Sequence, residues 1–181
     1  MIKNIFTYNQ SSVRLEIEGV PDFSLNQEQN TIGIISSWKL NLVGAPELEG
    51  KREHLVSLMD SLLPYARKRL SGLNSTSGDP LGPVTISTID KGHKLQLRST
   101  QVGVKPLEIH LDDAEFADLI RCLDDLRSDS RVFIQWKIPM NRPLKIKNIS
   151  WKNHKSKIFM LPLLSLSLLF LSSIVLYQIP V

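Results

Sequence analysis

Apolar and polar positions change period several times along this chain, and each change marks an element. Val13, Leu15 and Ile17 alternate with Arg14 and Glu16. That is the pattern of a half-buried strand, ended by Gly19, Pro21 and Asp22. Residues 32–43 are β-rich. Trp38, Leu40 and Leu42 alternate there with Lys39 and Asn41, until Gly44 and Pro46 close the run. Helical spacing takes over across 49–70, where Leu55, Leu58, Met59, Leu62, Leu63, Ala66 and Leu70 form one apolar stripe. Arg67, Lys68 and Arg69 suit the negative end of that helix's dipole, and Gly72 is placed to stop it. Pro64 removes a ladder bond, so a kink or a break is expected there. The small, polar stretch 73–82 reads as a connector. Short strands follow at 84–89, 93–98 and 106–111, the first two joined by a hairpin at Asp90, Lys91 and Gly92. A second helix spans 112–127. Asp112 is its cap, Glu115 stands at capping-box distance, and Phe116, Leu119, Ile120, Leu123 and Leu126 make its stripe. A last strand is expected at 132–136.

Residues 158–177 then run IFMLPLLSLSLLFLSSIVLY without a charged side chain. A helix of that length spans roughly 30 Å, the thickness of a bilayer's hydrocarbon core. Pro162 falls in its first turn, where the missing N–H costs least. The expected organisation is a domain over 1–136, a basic stalk over 137–157 and a transmembrane helix over 158–178. The fold class is α+β: a mainly antiparallel sheet with two amphipathic helices on one face, plus the C-terminal transmembrane helix. Two successive runs of strands, each closed by a helix, hint at a repeat. No residue-level similarity between the runs is evident.

Charge sharpens this division. The net charge of +4 conceals 14 Lys+Arg against 18 Asp+Glu before residue 131, and 8 Lys+Arg with no acid from there on. The basic character belongs to the stalk, which points to a membrane surface rather than to nucleic acid. Lys145, Lys147, Trp151, Lys152, Lys155 and Lys157, with Tyr177 beyond the span, are the candidate membrane-surface residues. The N-terminus has no sustained apolar run and no signal peptide is read there, so the span is expected to act as a tail anchor. The positive-inside rule then places the domain in the cytoplasm.

Candidate chemistry is sparse. Cys122 is the one cysteine, which excludes an intramolecular disulfide, and it reads as half-buried packing beside the second helix's stripe. Neither His54, His93, His110 nor His154 sits at metal-binding spacing from another. Asp112, Asp113, Glu115 and Asp118 crowd a helix start, where anions complement the dipole. Glycine-rich phosphate loops and a nucleophile elbow are absent. No catalytic residue, metal or cofactor is expected.

Leu15-Glu16-Ile17-Glu18-Gly19, Leu48-Glu49-Gly50-Lys51-Arg52-Glu53, Tyr65-Ala66 followed by Leu70-Ser71-Gly72, the helix after Ile109, and the apolar C-terminus together resemble an uncharacterised cyanobacterial family of membrane proteins, DUF4335. Lys51, where a second glycine is expected, and Pro64 depart from its pattern. The resemblance implies a plasma or thylakoid membrane setting and no activity. The expected function is that of a membrane-tethered, cytoplasmic-facing interaction, assembly or accessory module. Its partners would be the lipid bilayer and a membrane protein complex, not nucleic acid. The alternatives are a membrane-anchored enzyme without a recognisable motif, or a small single-span subunit.

Overall fold

In the computed structural model, the structure describes residues 3–25, 28–72, 76–99, 103–133 and 136, all within the compact unit Met1–Arg142. The expected stalk and span, and the candidate membrane-surface residues Lys145, Lys147, Trp151, Lys152, Lys155, Lys157 and Tyr177, lie outside the described residues. Among the described residues, no helix is long and apolar enough to cross a membrane.

The class is α+β, but the strands build two sheets, not the single sheet expected. β1 (Asn4–Asn9), β2 (Val13–Val20), β3 (Ile34–Leu42) and β4 (Leu48–Gly50) form one antiparallel sheet in sequential order, followed by helix α1 (Arg52–Leu70). β5 (Thr76–Ser77), β6 (Val84–Ile89), β7 (Gly92–Leu97) and β8 (Leu107–Leu111) form the second, followed by α2 (Asp113–Ser128). The alternation read in the sequence sets the faces. Phe6, Tyr8, Val13, Leu15, Ile17, Trp38, Leu40 and Leu42 are buried, as are Val84, Ile86, Leu95, Ile109 and Leu111 in the second sheet. Between Glu18 and Gly19 the β2–β3 register slips by a residue. A Cβ on Gly19 would stand 2.5 Å from Ile32 Cγ2 and from the Ile34 carbonyl oxygen, so only glycine lets β3 approach there.

The helices do not lie on one face of one sheet. Each bridges both. α1 packs on β3 and β4 of its own sheet and on β5 and β6 of the other, whereas α2 packs on β7 and β8 of its own and on β1 and β2 of the other. This reciprocity is that of a two-fold axis relating two copies of a four-strand-and-helix unit. The strand registers extend the correspondence to single residues. Trp38 faces Gly50 and Leu40 faces Leu48, just before the α1 N-cap Lys51; His93 faces Leu111 and Leu95 faces Ile109, just before the α2 N-cap Asp112. Aligned in this way, Trp38-Lys39-Leu40-Asn41-Leu42 matches His93-Lys94-Leu95-Gln96-Leu97. Leu15 and Ile86 are likewise equivalent, each facing the leucine of that motif. The buried helix positions Leu55, Leu58, Ser61, Leu62 and Tyr65 fall on Phe116, Leu119, Cys122, Leu123 and Leu126. Even a hydrogen bond recurs. The Ser61 hydroxyl donates to the Val84 carbonyl at 3.0 Å, and at the equivalent place the Cys122 thiol lies 3.8 Å from the Val13 carbonyl oxygen. The repeat hinted at by element order is therefore present at residue level.

Four local expectations change. α1 runs through Pro64 from Arg52 to Leu70, because the stripe on either side of the proline is packed against both sheets. Its start, expected at 49, is instead the short strand β4. No strand is formed at Val132, which makes an isolated parallel bridge to Ile32. Cys122, expected to be half-buried, is fully buried.

Since the helix is continuous, Pro64 withholds a donor from the Asp60 carbonyl without breaking the element. Pro64→Ala is expected to raise the melting temperature, with a gain of up to about 3 kcal/mol. A thermal melt followed by circular dichroism checks this; a lower melting temperature would show that the proline is accommodated by a local turn.

Candidate functional site

Among the described residues, two of the places where polar side chains gather against the core bear on function. The first is buried except at Asp113, whose side chain is 78% exposed. His93, the β7 residue equivalent to Trp38, is 1% exposed and lies between α1 and α2. The Tyr65 hydroxyl stands 2.6 Å from its Nδ1, and Asp113 Oδ1 lies 2.9 Å from its Nε2. Thr88 Oγ1, 2.9 Å from the same tyrosine oxygen, completes the chain. Burial lowers the His93 pKa below its ordinary 6.5, against the opposing pull of Asp113. The ring is therefore neutral near pH 7: Tyr65 donates to Nδ1, and Nε2–H donates to the Asp113 carboxylate. Phe116 packs on the ring at 4.3 Å between centroids. Aspartate, histidine and a hydroxyl in line resemble a catalytic relay, but Tyr65 and His93 have no accessible surface on which a substrate could land. The chain fastens α2 to α1 and β7.

The acids at the start of α2 separate by role. Asp112 accepts the Glu115 amide at 2.7 Å while Glu115 accepts the Asp112 amide at 2.9 Å, the reciprocal capping box expected from the sequence. Asp118, grouped with them by sequence, is buried and does something else. It accepts from the amide and hydroxyl of Ser12 in the β1–β2 turn, at 3.1 and 2.9 Å. Past α2, Asp129 accepts from Tyr8 at 2.9 Å and from the Arg131 backbone amide and two of its guanidinium nitrogens, and Arg131 stacks on Phe6. The arginine keeps the Asp129 carboxyl at about 2. Burial pushes the Cys122 thiol up to about 11, which removes it as a nucleophile near neutral pH. Among the described residues, no three His, Cys, Asp or Glu side chains converge as metal ligands would.

The second place is open. A cleft of about 340 Å³ lies where the end of the first sheet meets the second, lined by Trp38, Leu48, Leu58, Val84 and Leu97, with Glu47, Glu49, His54 and Arg98 among its polar groups. Trp38 is fixed by its indole N–H, which donates to the Lys51 carbonyl at 2.8 Å. His54 Nδ1 accepts the Lys51 amide at 3.3 Å, turning the ring toward the strand. Gly50 makes this possible, since a Cβ there would stand 3.0 Å from His54 Nδ1 and 3.1 Å from Trp38 Cζ2. The other half carries Leu111 at the equivalent position and the smaller His93 opposite it. Apolar walls with a few polar groups at the junction of two units are what a ligand or partner site requires. Sequence reasoning did not find it. Trp38 reads there as one residue of an alternating strand face and Glu49 as the beginning of a helix, and Pro83, Val84 and Arg98 reach the cleft only through the fold.

The chain is thus a duplicated α+β domain whose open site is a cleft and whose Tyr65 and His93 are buried. It belongs to the family Domain of unknown function (DUF4335), whose model matches residues 6–181. No curated protein and no solved structure matches it.

His93 titrates in the unfolded chain near 6.5 but lower when folded. The unfolded state therefore binds more protons in that interval, and stability is full above 6.5 and falls as pH drops through the depressed native value. Urea melts between neutral and mildly acid pH should show this loss, and His93→Gln should flatten it. Asp129 contributes in a separate, lower window, from 3.8 down to about 2, where protonation removes its stabilising pairing. In a separate test at neutral pH, Asp112→Ala should cost roughly 0.5–2 kcal/mol through the lost cap.

Proposed function

We propose that this protein is a membrane-tethered interaction or assembly module of a bacterial plasma or thylakoid membrane, with its α+β domain facing the cytoplasm. The observation that carries this reading is the uncharged run 158–177, preceded by seven Lys or Arg residues within 137–157. Such a basic flank favours the cytoplasmic side, and moving it across would cost about 2.3 kcal/mol per charge per 100 mV of opposing potential. Lys145, Lys147, Trp151, Lys152, Lys155 and Lys157 would lie against anionic head groups, at about 1 kcal/mol per nearby cation, and Tyr177 would sit at the far interface. The domain's contribution is a preformed cleft with mixed apolar and charged lining. Tethering raises the effective concentration of such a surface near membrane partners, so a modest affinity suffices. The burial of Tyr65 and His93 favours this reading over that of an anchored enzyme.

Three measurements test the proposal. Affinity purification in mild detergent should retain a membrane protein complex. Protease added to sealed right-side-out vesicles should spare the domain, and added to inverted vesicles should remove it; the reverse pattern would overturn the orientation. Removing residues 158–181 should move the protein to the soluble fraction with the cooperative melt of its domain retained and only the span's helical signal lost, because the described core lies before that segment. An unfolded product would mean that the apolar run is part of the core.

A further inference from the structure

The cleft is bordered by a strand with a free side. β4 ends its sheet, is three residues long, and pairs only with β3 among the described residues. A free strand edge presents backbone donors and acceptors ready to pair with another chain. β4 also has two chemically different faces. Leu48 points inward and is buried, and it lines the cleft with Trp38 and Leu97. Glu47 and Glu49, on either side of it, are exposed. Lys39 on β3 stands opposite Glu49 and pairs with Glu47 at 3.3 Å, so the acids already hold one cation on this face. Across the cleft, the Arg98 guanidinium is engaged by the Pro80 carbonyl.

Taking the domain as an interaction module, we propose that β4 is its docking edge. An extended peptide of a partner protein would add beside β4 as a fifth strand, with the pattern basic, large apolar, basic. Side chains alternate in a strand, so the central residue enters the cleft while its two neighbours turn outward to the cleft's rim. There they meet Glu47 and Glu49, and opposite charges on neighbouring strands attract. A cleft of about 340 Å³ admits a phenylalanine or a leucine side chain with room to spare. The duplication supplies an internal comparison. Its equivalent of Gly50 is Leu111, and Asp113 there is drawn onto His93. In the second half a leucine thus stands where Gly50 does, and the ring opposite it is held by Tyr65 and Asp113.

The test uses the full chain in detergent with Trp136→Phe and Trp151→Phe, which leaves Trp38 as its one indole. Short synthetic peptides centred on Lys-Phe-Lys, Glu-Phe-Glu and Lys-Ser-Lys are titrated while Trp38 emission and amide exchange of β4 are followed. Lys-Phe-Lys should shift the emission and protect β4 amides; the other two should bind at least roughly tenfold more weakly. Glu47→Lys with Glu49→Lys alters exposed positions only and should reverse the preference toward Glu-Phe-Glu. Equal binding of all three peptides, or no protection of β4, would overturn the proposal. So would self-association through β4 that the peptides cannot compete. A complex still recovered from membranes by the doubly substituted protein would overturn the docking edge and leave the tethered module intact. Loss of membrane association without loss of peptide binding would do the opposite.

Discussion

Neither sheet can bury its inner face on the helix of its own half. That constraint governs the domain. α1 closes the β3–β4 end of the first sheet and the β5–β6 end of the second, and α2 closes the remaining two ends. Each helix must therefore carry an apolar stripe wide enough to serve two sheets, and its buried positions fall at helical spacing on more than one side. Polar contacts lock the arrangement where the halves meet: Ser12 to Asp118, Tyr8 to Asp129, Tyr65 to His93, and Ser61 to the Val84 carbonyl. A buried carbonyl left without its donor costs about 1–3 kcal/mol, so these contacts fix the register in which the apolar surfaces can fit.

Much of the element list was legible because alternation and helical spacing are local. β6 was read at its observed limits, and β2, β3, β7, β8 and both helices within a few residues. The Asp112–Glu115 box was legible for the same reason. β4 and β5 were not, since runs of three and two residues carry no period. β1 has a readable alternation of Phe6 and Tyr8 but lacks a turn signal before it. The number of sheets was out of reach, because pairing depends on which strands meet and not on how each is patterned.

The duplication shows most clearly where local reading stops. The matching motifs at Trp38 and His93 both lie one strand after a matching partner, but the spacing differs. In the first half the chain from Val20 to Ile34 makes a long excursion; in the second, only Asp90 and Lys91 separate Ile89 from Gly92. Between the motif and its helix the lengths differ again, with a longer connection between β7 and β8 than between β3 and β4. No constant period survives these insertions, so the self-similarity becomes visible only when strand register supplies the alignment. The cleft was hidden for a related reason. Its walls come from both halves, and the feature that opens it is a small residue, Gly50, whose role depends on Trp38 across the strand pair and His54 in the next turn.

Reciprocal packing also sets a problem of order for the newborn chain. β1 and β2 emerge first, but the helix that covers them is the last element of the domain. α1 is made in between, with its large apolar residues at the same relative positions as those of α2. Until α2 appears, α1 is the one amphipathic helix able to occupy the place on β1 and β2 that α2 will fill. The nascent protein thus carries its own decoy. The charges at the two helix starts differ, Lys51 and Arg52 against Asp112 and Asp113, and so do the polar side chains that fasten them. Ser12 can be satisfied by Asp118 but finds Ser57, not a carboxylate, at the matching turn of α1. Divergence between the halves is therefore what tells a repeated chain which copy belongs where.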